Sequence, residues 1–137
     1  MFTGPMEDRL AIRELHDTYS DAVLRVDADD WGSTWAEEAH WNLMGTPVEG
    51  REAIVGLWTQ AMQGFKAVSF LSAPSAIEIN GDTAKGRCQT HEIMVMADGT
   101  SRAVGGRYDD EFVKRDGKWL YSKRVFVIQA EYNAKEA

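Results

Sequence analysis

Residues 102–127 read R-A-V-G-G-R-Y-D-D-E-F-V-K-R-D-G-K-W-L-Y-S-K-R-V-F-V, and this stretch decides the fold. Two runs rich in β-formers flank Arg115-Asp116-Gly117-Lys118. Asp-Gly supplies the positive φ angles of a tight hairpin turn, so the stretch predicts two long antiparallel strands. Working backwards, Ala97-Asp98-Gly99-Thr100 and Asn80-Gly81-Asp82 are further turns, and they delimit strands at 83–96 and 66–79. The second of these is expected to bend at Pro74. Gly105-Gly106, inside a strand with no helix after it, reads as a bend in the sheet.

Upstream the period changes. Ile12, Leu15, Tyr19, Ala22, Val23 and Val26 recur at three- and four-residue spacing and predict a helix over 7–26. Asp29 or Asp30 is a candidate cap for a short second helix carrying Trp31 and Trp35 on one face. Residues 40–44 read as a short strand, and a third helix over 51–63 buries Ala53, Ile54, Leu57, Trp58, Ala61 and Met62. Helices first and strands after them argue an α+β fold, one domain over residues 1–137.

Composition narrows the partners. The 137 residues carry a net charge of −7 and no basic cluster, which argues against nucleic acid and against anionic membranes. No apolar run approaches membrane-spanning length and the N-terminus does not read as a signal peptide, so a cytoplasmic protein is expected. Cys88, the single cysteine, excludes an intrachain disulfide. No H-x-H, H-E-x-x-H or C-x-x-C spacing calls for a metal, and neither a phosphate-binding glycine loop nor a nucleophile elbow is present, so no cofactor is expected.

Three stretches carry a family resemblance: the Tyr19 helix running into Val26-Asp27-Ala28-Asp29-Asp30-Trp31; Ile79-Asn80-Gly81-Asp82-Thr83-Ala84-Lys85-Gly86-Arg87; and Gly106 through Trp119 to Arg124. With the order of elements they resemble the SnoaL-like branch of the nuclear transport factor 2-like (cystatin-like) fold. That branch includes scytalone dehydratase, hexachlorocyclohexane dehydrochlorinase, bile acid dehydratases and polyketide cyclases. The resemblance implies a cone-shaped α+β barrel, with three N-terminal helices packed on a strongly curved, mainly antiparallel sheet. It also implies a catalytic aspartate after the first helix, which matches Asp27, and a partner histidine, whose position falls at Phe70. A pocket arginine matches Arg124, a second histidine position falls near Cys88, and an acid position falls near Glu92.

Each candidate has two readings. Asp27, past a helix C-terminus and beside Asp29 and Asp30, is either a base with a raised pKa or a turn aspartate. Strand alternation puts Arg124, Phe126 and Ile128 on one face, where Arg124 either pairs with Asp27 or a substrate anion, or lies at the surface. Cys88, Thr90, Glu92, Met94 and Met96 share a face of their strand, which the resemblance turns to the cavity. Glu92 is then a second acid there, or a partner of Arg107; Cys88 is a small core residue rather than a nucleophile. His91 enters the cavity only if a bulge turns it inward, and otherwise faces a partner subunit. His16 and His40 read as structural. Tyr19, Trp31, Trp35, Trp58 and Phe70 are the aromatic candidates for a substrate wall.

The resemblance and these residues imply a cofactor-free lyase or isomerase, dehydratase- or cyclase-like, acting on a small cyclic hydrophobic or aromatic compound. The competing reading is a non-catalytic binding or assembly module, such as the small subunits of ring-hydroxylating dioxygenases that share the fold. Strands apolar on both faces further predict a homodimer or higher homo-oligomer.

Overall fold

The computed structural model describes residues 1–134. The elements are β1 (Phe2–Thr3), α1 (Met6–Arg25), α2 (Ala28–Ser33), β2 (Trp35–Leu43), β3 (Thr46–Glu49), α3 (Arg51–Met62), β4 (Phe65–Asn80), β5 (Thr83–Met96), β6 (Ser101–Arg115) and β7 (Lys118–Ala134). Three helices lie on a seven-stranded mixed sheet of order β1-β4-β5-β6-β7-β2-β3. This is the α+β cone expected from the sequence. β4 to β7 form an antiparallel meander, while β1 joins β4 and β2 joins β7 in parallel.

The turn at Asp116-Gly117 is as the sequence implies, with φ of 51° and 77° and Arg115 paired to Lys118. Curvature comes from register shifts. One falls at Pro74/Ala76 on β4, and two in the β6–β7 pair fall opposite Gly105/Gly106 and Glu111/Phe112, with the extra residue on β7. Each adds twist and bends the long strands into a trough.

Four expectations need correction. α2 ends at Ser33, so Trp35 opens β2 instead of sharing a helical face with Trp31. The cap of α2 is Asp27, whose side chain accepts from the Asp30 backbone N–H, rather than Asp29 or Asp30. Val26 is no part of the buried stripe; it ends α1 in the left-handed conformation and is exposed. On α3 the buried stripe narrows to Ile54, Trp58 and Met62, because the helix rests on the rim of the trough.

The core fills the narrow end of the cone with aromatic rings. Trp31 stacks on Trp58 at 4.6 Å and 9°, and both Trp31 and Trp35 pack against Trp41. Tyr19 touches Trp31, Trp35, Phe70 and Tyr121. The wide end stays open.

Candidate functional site

The concave face of the sheet, α1 and α3 enclose a cavity of about 230 Å³. α1 contributes Tyr19 and Val23; α3 contributes Trp58, Ala61 and Met62. The inward-facing residues of the strands supply the rest. Phe70 and Glu92 are cross-strand neighbours, as are Met94 and Arg102, and Tyr108 and Phe126. Trp41 on β2 closes the side. The wall is mostly apolar, with a few polar groups that converge, the usual make-up of a small-molecule site.

At the deep end an indole meets two phenols. Trp41 donates its indole N–H to the Tyr108 hydroxyl at 3.1 Å. An indole can only donate, so the Tyr108 hydroxyl proton must go elsewhere. Tyr19 lines the cavity beside Tyr108. Burial holds both phenols neutral, pushing their pKa values up.

Behind these phenols lies Arg124, inward-facing with Phe126 and buried. Its guanidinium sits 3.7 Å from the Tyr108 ring centre, 4.2 Å from Tyr121 and 4.7 Å from Tyr19. It makes a two-point pair with Asp110, at 2.7 and 3.2 Å, with side-chain exposures of 1% and 0%. Arg124 is thus neither at the surface nor partnered with Asp27. It underlies the tyrosine wall, and its charge opposes part of their upward pKa shift. Asp110, Tyr121 and His16 complete this buried polar layer; the Tyr121 hydroxyl and His16 Nδ1 are 2.7 Å apart.

Nearer the mouth, Glu92 and Arg102 are the charged residues of the lining. Burial raises the Glu92 pKa, with Arg102 opposing. The sequence alternative, a Glu92–Arg107 pair, does not form: Arg107 faces the other side of the sheet and pairs with Asp109.

Other candidates lie elsewhere. Asp27 is not part of the cavity wall. Its carboxylate caps α2, pairs with Arg25 at 2.9 Å and is 39% exposed. Its pKa is lowered rather than raised, first by the Asp30 backbone N–H and then by Arg25. The expected dipole repulsion fails because α2 starts where α1 ends, and Asp27 meets the positive end of the second helix. His91 stays on the outer face, since β5 pairs without a bulge through it, and it cannot form an Asp-His pair inside. Trp31, Trp35, Cys88 and Thr90 are fully buried and do not line the cavity. Tyr19, Trp58, Phe70, Glu92, Phe126 and Ile128 do line it. Trp41, Tyr108 and Arg102 were not singled out from the sequence. The alternation that placed Glu92 would have found Tyr108 and Arg102, since even-numbered residues of β6 face inward.

Among the described residues no group of three or more His, Cys, Asp or Glu side chains is arranged to hold a metal. Among the described residues no helix is long and apolar enough to cross a membrane.

Comparison with known proteins fits this architecture. The chain superposes on a type 2 hexachlorocyclohexane dehydrochlorinase with a TM-score of 0.87 at 18% identity, covering 96% of this chain and 92% of that one. A proposed scytalone dehydratase from Novosphingobium aromaticivorans gives 0.86 at 17%, covering 96% and 91%. A proposed aromatic ring hydroxylase from the same organism gives 0.86 at 27%, covering 96% of each chain. No curated protein matches in sequence. The SnoaL-like domain pattern matches residues 5–125, nearly the whole of the folded unit. With the helix-backed trough, this places the chain in the SnoaL-like domain family.

Proposed function

We propose that the cavity binds a small, hydrophobic, ring-bearing compound and that the protein is a lyase or isomerase working by proton transfer. Glu92, rather than Asp27, is the base. The observation that carries this reading is a carboxyl group of raised pKa opening on the same cavity as the Tyr19 and Tyr108 phenols. A carbonyl oxygen of the ligand accepts from Tyr19. The Glu92 carboxylate takes a proton from the carbon next to that carbonyl. The electron pair of the broken C–H bond moves onto the carbonyl oxygen, giving an enolate held by the tyrosines. The enolate then returns its electron pair to expel a substituent on the adjacent carbon, or takes the proton back at another carbon. The two outcomes are elimination and isomerisation. Such chemistry needs a base and an oxyanion donor, and the cavity offers both. The dehydrochlorinase and dehydratase among its structural relatives support the same class.

The test does not require the natural substrate. α-Tetralone, a bicyclic ketone, is incubated in D2O and followed by proton NMR. The protein is expected to exchange the hydrogens beside the carbonyl for deuterium. Glu92→Gln should slow exchange by about 10²–10⁴-fold while leaving binding in place. Exchange that survives Glu92→Gln and fails in Asp27→Asn would return the base to Asp27.

A second reading has its own observation. Phe70 stands where the family resemblance implies a histidine, and it packs on Tyr19 at 5.7 Å as part of the wall. Binding without any exchange would favour a non-catalytic module. Under either reading we take the protein to be a cytoplasmic homo-oligomer. A second copy would cover the outer sheet face, where Leu71, Ile93 and Tyr132 are exposed around His91.

A further inference from the structure

We propose that the ligand of this cavity is an anion, a ring-bearing carboxylate whose acid group is held at the mouth by Arg102. The inference rests on the cavity reading above and adds the charge of the ligand. Arg102 belongs to the inward-facing set of β6, directly across from Met94 on β5. Glu92 is cross-strand to Val104, so Glu92 and Arg102 are diagonal neighbours on the same face.

The protein satisfies Arg102 only in part. Nε donates to Glu131 Oε1 at 2.8 Å, and Asn133 reaches the same oxygen at 3.4 Å from the far side. Neither terminal nitrogen of Arg102 makes a hydrogen bond among the described residues. A guanidinium has five N–H donors, and its planar fork fits a carboxylate at two points. Here one donor, Nε, is used on a residue that lines the cavity. The side chain is a third exposed, so a ligand carboxylate would replace water on the unused donors. Glu131 covers one edge, and a ligand carboxylate would cover the other.

Glu92 does not forbid this arrangement. When protonated it can donate to the same ligand carboxylate. Its cross-strand neighbour is Phe70, which packs on Tyr19, so Glu92 lies between Arg102 and the tyrosine along this face. A ligand with an acid at one end and a carbonyl or phenol oxygen at the other would span from Arg102 to Tyr19, with its ring along Trp41 and Phe126. The reacting carbon would then lie opposite Glu92.

The test compares 2-naphthoate with 2-naphthalenemethanol, probes of similar shape that differ in charge, by isothermal titration calorimetry. The wild-type protein is expected to prefer naphthoate by 10-fold or more, on the order of a charge-assisted hydrogen bond. Arg102→Gln should abolish the preference and leave the alcohol's affinity within about 2-fold, which also shows that the variant is folded; Arg102→Lys should keep part of the preference, because charge survives without the fork. Equal affinity of the wild type for the two probes, or an unchanged preference in Arg102→Gln, overturns the anion assignment while leaving the cavity reading standing. If neither probe binds the wild type, the cavity reading fails and this inference with it.

Discussion

Replacing Arg124 with Met is the sharpest test of how this interior is built. The substitution removes two hydrogen bonds to Asp110 and the charge lying over three tyrosine rings, but it keeps much of the side-chain volume. Asp110 is left fully buried with no countercharge. Breaking a buried pair from one side costs about 3–5 kcal/mol, a large share of the roughly 5–15 kcal/mol that holds a domain of this size together. Urea denaturation at neutral pH should show that loss in the midpoint, with the slope unchanged. The deficit should shrink as the pH falls. Burial has already raised the Asp110 pKa, and in the variant no cation opposes the shift. An acid whose folded pKa is raised is tolerated below its unfolded pKa and destabilises as pH rises through the folded value. Adding Asp110→Leu should bring stability back to within about 1–2 kcal/mol of the wild type, since an apolar pair can replace a buried ionic one. Because Arg124 stands behind the wall and not in it, the double variant should still bind 2-naphthalenemethanol. A loss below about 1 kcal/mol in Arg124→Met would refute the structural assignment. Loss of ligand binding in a stable double variant would put Arg124 in contact with ligand after all.

Three further outcomes follow from the same geometry. Asp27→Ala should lower the Tm slightly by removing the α2 cap, whereas Asp27→Asn, which can still cap, should leave both the Tm and the tetralone exchange unchanged. The cap's contribution is present above the ordinary aspartate pKa and is lost as pH falls through the depressed folded value, so the Ala variant and the wild type should converge in acid. Gly106→Ala would drive a Cβ into the Phe126 ring, which lines the cavity. It should cost about 1–3 kcal/mol in chemical denaturation and weaken binding of both naphthyl probes. His16 is buried and its pKa is held well below 6.5, first by desolvation and then by Arg124 and Arg13. Stability should therefore be full above pH 6.5 and fall as the pH drops toward the folded value, and in a pH series of urea melts His16→Gln should flatten that limb.

How much of this was legible in the sequence depends on what local chemistry determines. The hairpin turn was, because Asp116-Gly117 must take positive φ and few other pairs do so cheaply. α1 was legible to within a residue at each end, from the period of its apolar stripe. β2 was read too short. Trp35-Ala36-Glu37-Glu38-Ala39 breaks the period of two, and the structure shows why: pairing with β7 shifts register between Trp35 and His40. β1 is two residues long and exists only because β4 offers an edge. The alternation of β5 correctly separated Cys88, Thr90, Glu92 and Met94 from His91. It could not show that the first two are fully buried away from the cavity and the last two border it. Period two identifies a face, whereas depth along the strand depends on where the helices end.

Asp110 and Arg124 show the same limit more sharply. Counting back equally from the turn at Asp116-Gly117 puts Arg124 opposite Asp109, an exposed residue on the outer face. Phe112 does pair with Tyr121 in that count, but the next pair is Glu111 with Lys123. Ser122 is the extra residue. The bulge it creates shifts the register by one, so that Arg124 meets Asp110, and it resets the alternation so that Tyr121 and Arg124 both point inward. Without it Arg124 would be carried to the outer face and Asp110 stranded in the core, since a slip of one residue reverses every side chain beyond it. A bulge has no residue signature as strong as a Gly turn, and Ser122 looks like any strand serine. The buried pair that braces the tyrosine wall therefore depends on a feature that appears only when β6 and β7 are laid side by side.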